Sequence, residues 1–306
     1  GHLAAFSFHE TKNINSGEHN RFPFQKANFK LHPEEKITDV NTGEESNQII
    51  LSTHQNGKGR ILSYNIIEKL KKRKFKKGSR SKLYQADLNY PIYAHLQEED
   101  KEYFFYEKRN RVHLRIMDTK SNLKQNHRFP EDIQRIYAAC ILNKNEMLFS
   151  ANNSGYSDIF IFNIKTRQYK KLTDDIWDDL AINKTSKNSK IYFCSNRPDS
   201  NTQIKKVDSI LPLGNFKLFE LDLSQETDKA YVKKLVDIPD YSIETWKEFN
   251  SDILIKAKHG IETTWFLYKD NQLQNFNFEL LPDFIYPLNH EQSVLITPIK
   301  PSAYEF

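Results

Sequence analysis

A chain of 306 residues with 38% hydrophobic, 13% aromatic and 28% charged content can fill a core, so wholesale disorder is excluded. Mean hydropathy is −0.72, and no apolar run reaches the ~18 residues of a helical membrane span. Nine Gly, two Cys and no sustained heptad exclude the collagen, disulfide-framework and coiled-coil classes; the net charge of +5 is a local matter.

The chain opens with GHLAAFSFHE, which has neither a basic n-region nor a long apolar h-region, so no signal peptide is read there. The leading Gly-His reads as an expression scar or as a cut from something longer. HLAAFSF (2–8) and NFKLH (28–32) are strand-like. Short apolar or alternating runs then recur: NQIILS (47–52), EYFFYE (102–107), EMLFSA (146–151), DIFIFNI (158–164), KIYFCS (190–195), KLFELDL (217–223), DILIKA (252–257), TTWFLY (263–268) and SVLIT (293–297). They are rich in Ile, Phe, Tyr, Val and Thr and are broken by Gly, Asn, Asp, Ser and Pro, as strands are. No long stretch keeps an apolar 3.6-residue period; only 131–137 and 243–249 admit a brief helix. Cys140 and Cys194 sit inside apolar runs and read as small buried hydrophobes, not as a disulfide.

Between the first two runs lies a basic segment. Lys69, Lys71, Lys72, Arg73, Lys74, Lys76, Lys77 and Arg80 contribute eight positive charges without an acid; +5 less these eight leaves −3 for the rest. A globally basic nucleic-acid surface is therefore disfavoured, and one basic stripe remains. Tyr64-Asn65-Ile66 followed by Arg73-Lys74-Phe75 parallels Phe162-Asn163-Ile164 followed by Arg167-Gln168-Tyr169. The stripe thus reads first as an outer strand whose lysines guard its edge, and second as a patch for an acidic partner or membrane headgroups.

The runs form a repeated phrase of apolar strand, polar hairpin, second strand and Asx-Lys/Thr turn. Its leading core residues are Ile49, Tyr103, Met147, Ile191, Ile253 and Val294, spaced by 54, 44, 44, 62 and 41 residues. Four-stranded propeller blades recur at about 40–50 residues. The long intervals hold insertions, the lysine-rich segment and 196–215. The expected fold is all-β: a single β-propeller of six four-stranded blades over residues 46–306. Residues 1–45 would complete the last blade and close the ring, because the final unit is too short and an open edge invites aggregation.

The unit 146–197 is the most complete. It carries Gly155-x-x-Asp158-Ile159-Phe160, Lys165-Thr166, Leu172-Thr173, Asp179, Lys190-Ile191-Tyr192-Phe193 and Ser195-Asn196-Arg197. This pattern resembles the repeat of the TolB-type, WD40-like β-propellers. The sequence departs from that repeat at its S-P-D-G turn, here TSKNSK (185–190). The resemblance implies a propeller with a central channel that serves as a binding platform. It also implies a bacterial cell-envelope protein, in the periplasm, with cytoplasmic placement left open. It implies no single chemistry.

Antiparallel alternation puts TDDIWDD (173–179) and SNRPDS (195–200) at one end of the sheets. There Asp174, Asp175, Trp177, Asp178 and Arg197 form a candidate binding patch for a protein or peptide partner, favouring a basic peptide or a cation. The plainer alternative is that Asp179 and Arg197 bond blade to blade while Trp177 packs. Calcium-loop spacing is absent, so neither a metal nor a cofactor is expected, and no catalytic residue is assigned. G-x-S-x-G, H-E-x-x-H, G-x-G-x-x-G and P-loop patterns do not occur. The reading is a non-catalytic binding or scaffold module without a transmembrane segment. A small-molecule or glycan ligand, a carbohydrate-active propeller using channel carboxylates, and the accessory propeller of a peptidase are the alternatives.

Overall fold

Runs of consecutive apolar residues, rather than alternating ones, predict strands covered on both faces. The computed structural model bears this out. It describes residues 2–7, 25–30, 36–42, 48–56, 58–65, 81–84, 90–118, 120–121, 123–185, 190–200, 214–223, 231–249, 251–276, 284–289 and 292–298. All regular structure among them is β, and the sheets are antiparallel. No helix among the described residues is long and apolar enough to cross a membrane. The chain divides into two compact units, Gly1–Pro91 with Phe278–Phe306, and Ile92–Asn277.

In the first unit, β1 (His2–Ser7) pairs with β2 (Gln25–Lys30). The next sheet runs β3 (Lys36–Thr42), β4 (Gln48–Gln55), β5 (Lys58–Asn65), β6 (Ser81–Tyr84) in order. It therefore begins ahead of residue 46. The basic segment 69–80 lies outside the described residues.

The second unit holds four sheets, each in simple meander order. They are β7 (Ile92–Glu98), β8 (Lys101–Glu107), β9 (Val112–Asp118) and β10 (Lys124–Arg128); then β11 (Ile133–Asn143), β12 (Glu146–Asn153), β13 (Tyr156–Asn163) and β14 (Tyr169–Lys171). Next come β15 (Asp179–Lys184), β16 (Ile191–Ser195), β17 (Lys217–Asp222) and β18 (Tyr231–Val236). The last are β19 (Ser242–Phe249), β20 (Asp252–His259), β21 (Glu262–Lys269) and β22 (Gln272–Phe276). The first unit resumes with β23 (Phe284–Asn289) and β24 (Gln292–Pro298), and β1 pairs antiparallel with β24 from Leu3↔Pro298 to Ser7↔Val294. The N-terminal strands thus share a four-stranded sheet with the last two, in the order β2-β1-β24-β23.

The second strand of each phrase is the middle of a sandwich. In β12, Met147, Phe149 and Ala151 enter the layer against β7–β10, whereas Leu148 enters the layer against β15–β18. In β16, Ile191 and Phe193 face one layer, and Tyr192 and Cys194 the next. Both cysteines are free and buried. The first layer is aromatic: Phe149 stacks on Phe160 at 5.1 Å and meets Phe129 and Phe105 at 5.3 and 5.8 Å.

The two segments that admitted a helix are strands. Residues 133–137 open β11 and 242–249 form β19. Register shifts explain the sequence pattern. Pairing slips between Ile133 and Arg135, between Ile136 and Ala138, and between Ile243 and Thr245. Each bulge converts a two-residue inward period to three, so Ile133 and Ile136, and Ile243 and Trp246, are buried at helical spacing. β15 slips likewise between Leu180 and Asn183, with Ala181 at φ 51° and its carbonyl accepting the Trp246 indole N–H at 3.0 Å.

The hairpin at Ser154-Gly155 has φ of 57° and 92°, the positive pair that a two-residue primed turn requires. Thr185 and Lys190 close the turn that departs from the repeat. The Thr185 N–H donates to the Lys190 carbonyl at 2.8 Å, and the Lys190 N–H donates to Thr185 Oγ1 at 3.0 Å.

Truncating Phe149 removes a ring from the most aromatic layer. Phe149→Ala is expected to destabilise the chain by about 3–5 kcal/mol and Phe149→Leu by less than about 2 kcal/mol, read from urea midpoints. Equal costs would mean that the layer closes around the deletion.

Candidate functional site

The predicted patch is built at the start of β15. β14 ends at Lys171, and the chain must cross to the next sheet through 172–178. Thr173 fastens this crossing, its Oγ1 accepting the Ile159 N–H at 2.9 Å. Asp175 makes a local turn, its Oδ1 accepting the Trp177 N–H at 3.0 Å. Asp178 ties the crossing to β13 and to the segment after β16: its Oδ1 accepts the Ser157 N–H and its N–H donates to Asn196 Oδ1, both at 2.9 Å.

Beneath the loop lies an ionic network. Arg197 is buried, its guanidinium donating twice through Nη2 to Asp179 Oδ1 and Oδ2 at 2.7 and 2.8 Å. Nε donates to Ser195 Oγ at 3.0 Å, and Nη1 lies 3.4 Å from Asp175 Oδ2. The Phe193 and Phe219 rings flank it, each 5.7 Å from Cζ. The Ser150 hydroxyl donates to the Asp179 carbonyl, tying β12 to β15. Next to this, Lys171 Nζ reaches Asp158 at 3.2 Å, Asn153 Oδ1 at 2.8 Å and Asp174 at 3.0 Å.

The expected patch therefore separates into two tiers. Asp175 and Arg197 are buried with Asp179, and Trp177 is nearly so. Asp174, 63% exposed, and the half-buried Asp178 form the rim. Sequence reasoning grouped these five residues by the antiparallel alternation that puts 173–179 and 195–200 at one end of the sheets. It did not anticipate that Asp158, Lys171 and Ser195 join the same network, although all three lie in or beside the repeat motif. The motif positions Asp158, Thr173, Asp179, Ser195 and Arg197 are thus the ones that bond sheet to loop. Among the described residues, no group of three or more His, Cys, Asp or Glu side chains is arranged to hold a metal ion.

Two carboxylates share the buried Arg197 guanidinium, and Asp179 takes the short bidentate bonds. Burial accordingly pushes Asp175 up to about 7, with the Asp179 charge adding to the rise and the Arg197 charge opposing it. A carboxyl raised in the folded state stabilises fully below its ordinary value of 3.8 and loses that contribution as pH rises through about 7. Asp175→Asn keeps an acceptor for the Trp177 N–H and does not titrate. The stability difference between variant and parent should move in favour of the variant by about 4 kcal/mol from pH 4 to pH 8 in urea titrations. A pH-independent difference would show that Asp175 stays ionised against Arg197. Arg197→Ala strands Asp179 in the interior and should cost about 3–5 kcal/mol at neutral pH. A loss below about 1 kcal/mol would mean that water replaces the guanidinium.

No family model and no curated protein matches the sequence. Among solved structures, the chain is similar to TolB from Acinetobacter baumannii, at 12% identity and a TM-score of 0.52, covering 97% of this chain and 64% of that one. It is similar to the putative TolB from Agrobacterium tumefaciens, at 9% identity and a TM-score of 0.59, covering 96% of this chain and 97% of that one. A puromycin-hydrolyzing peptidase of Mycobacterium tuberculosis is also similar, at 7% identity and a TM-score of 0.55, covering 81% of this chain and 38% of that one. The fold is that of the β-propellers. Within them it is of the TolB type, and at these identities the likeness speaks for fold alone. The chain spans 64% of the length of the Acinetobacter protein.

Proposed function

We propose that the chain is a non-catalytic binding module. In this reading it is a TolB-like propeller of six four-stranded blades, its ring closed by the N-terminal segment, and it works in the periplasm or cell envelope of a bacterium. Among the described residues, five four-stranded meander sheets and a sixth assembled from β1, β2, β23 and β24 support the blade count, and the pairing of β1 with β24 supports the closure. A protein or peptide segment docks at the end of the sheets that carries 173–179 and 195–200.

The observation that carries the binding reading is the division of the acidic patch. Asp175 and Arg197 meet inside, and so fix the loop; Asp174, shared with Lys171, and Asp178 present carboxylates at its rim. A rim held by a buried frame loses little conformational entropy on docking. Its charge favours a basic segment, steering the encounter more than setting the affinity.

A second reading has its own support. The Mycobacterium peptidase is covered only over 38% of its length by a match that takes 81% of this chain. This fits a propeller that serves as the accessory part of a larger enzyme.

The test is capture of partners from envelope extracts at moderate salt by the intact chain, compared with Asp174→Asn/Asp178→Asn and read by mass spectrometry. A specific protein retained by the parent should be held about three- to tenfold less tightly by the double variant, as expected for two exposed ion pairs. Identical capture by both would remove the acidic rim from the binding surface.

A further inference from the structure

The same end of the second unit carries a cation that the fold does not use. Arg135 is the third residue of β11, just past the bulge at Ile133, and is exposed to solvent. Its Cζ lies 5.3 Å from the centre of the Tyr137 ring, and Tyr137 is itself 39% exposed on the same strand. Among the described residues, no carboxylate is paired with Arg135. Two other arginines at this end are engaged differently: Arg197 is bidentate with Asp179, and Arg111 pairs with Glu131.

One carboxylate near Arg135 is already committed. Glu107, at the end of β8, accepts the Tyr93 hydroxyl from β7. The Tyr93 phenol is held well above its ordinary value by burial first and by the Glu107 bond second, and the Arg135 charge pulls the other way. Arg135 therefore stands within electrostatic reach of this pair, and Tyr137 does too. A guanidinium lying on an aromatic face keeps its planar fork of donors directed outward, ready for two parallel bonds to a carboxylate.

The surroundings narrow the kind of anion. Asp132, Asp174 and Asp199 are exposed at this same end, beside the half-buried Asp178. Asp174 is paired with Lys171 and Asp199 with Lys234, so the surface here is of mixed sign; it offers a polyanion such as nucleic acid no continuous cationic track and admits a single carboxylate joined to a cationic or neutral chain.

We infer that Arg135 and Tyr137 form a carboxylate subsite for the same peptide segment whose cationic part lies at Asp174 and Asp178, an inference that rests on the peptide-binding reading above. The partner is thus an amphoteric segment rather than a merely basic one. The carboxylate is an acidic side chain or a free C-terminus, and Tyr137 supplies the apolar floor beside it.

The experiment uses the intact chain and labelled peptides read by fluorescence anisotropy. One pair is Lys-Lys, a spacer of none to four glycines, then Glu or Gln with an amidated end. The other pair ends in Ala with a free carboxylate or an amide. At the best spacer, a carboxylate member should bind about tenfold more tightly than its neutral twin, as expected for a charge-assisted bidentate bond. The pair that discriminates identifies the source of the carboxylate. Arg135→Gln should abolish the discrimination without lowering the thermal midpoint, Arg135→Lys should keep part of it, and Tyr137→Ala should weaken both members. Asp174→Asn/Asp178→Asn should weaken both members equally.

Equal affinity for both members at every spacer, or discrimination that survives Arg135→Gln, would overturn the subsite. If rim dependence persists in that case, the binding reading stands without the subsite. If Arg135-dependent discrimination holds while the rim variant changes nothing, the acidic rim is what fails. Absence of binding by any peptide at millimolar concentration would overturn both.

Discussion

The organisation of the described site depends on one desolvated cation. Transferring a guanidinium from water to the interior costs several kcal/mol even after relaxation, and only close, well-aimed acceptors offset that. Arg197 meets the requirement through two bonds to Asp179, one to Ser195 and the flanking Phe193 and Phe219 rings. Each partner comes from a different position along the chain. Asp179 opens β15, Ser195 closes β16, and Phe219 lies in β17, so the ion spans three strands of one sheet. Asp175 adds a fourth tie, to the crossing loop. Any displacement of that loop would strip acceptors from a buried charge. The loop is held by this ion together with the burial of its own Ile176 and Trp177.

This constraint explains what the TolB-like motif is for in this chain. Asp158 meets Lys171, Thr173 meets the Ile159 amide, and Asp179 and Ser195 meet Arg197. They tie adjacent strands of a sheet, or a strand and the segment leaving it, at one end. A sheet whose two faces are already buried has no spare apolar surface with which to fix its connections, so polar side chains in the strand ends do that work. A motif of this type reports architecture. It says little about the ligand, which explains why three solved structures of similar fold include TolB proteins and a peptidase.

The sequence was legible where burial is simple. β12, β13, β16 and β20 each carry three or more consecutive apolar residues, because both faces are covered there, and they stood out without any help from periodicity. The opening strands of the sheets were not. Bulges in β11 and β19 placed inward residues three apart, which imitates a helical face until the pairing is known. β3 was hidden for a related reason: KITDVNT mixes Ile and Val with Asp, Asn and Thr, and its register slips between Ile37 and Asp39. At the candidate site, residue types and their clustering were readable, but depth was not. Asp174 and Asp175 are neighbours of identical chemistry, yet one is exposed and the other shares a buried guanidinium. Arg135 escaped notice altogether. Nothing in QRIYAACILN separates a solvent-facing Arg-Tyr pair from a strand's ordinary polar positions, because the bulge sets their direction.

Depth also decides which charges can recognise anything. A buried ion that already has its full set of partners offers a ligand no gain, since an incoming group would have to displace bonds of equal strength. Charges at a rim gain little individually, because water competes for them. Recognition is therefore best served by rim charges whose geometry is fixed from below. Asp178 is such a group, with its carboxylate bonded to Ser157 and its amide to Asn196. Arg135 is another, laid on Tyr137 beside the Tyr93–Glu107 pair. The opposite signs of these two positions follow from how the fold distributes its charges: the buried guanidinium takes two acids, Lys171 takes Asp158 and Asp174, and the Asp178 and Arg135 side chains are left with no ion pair of their own among the described residues.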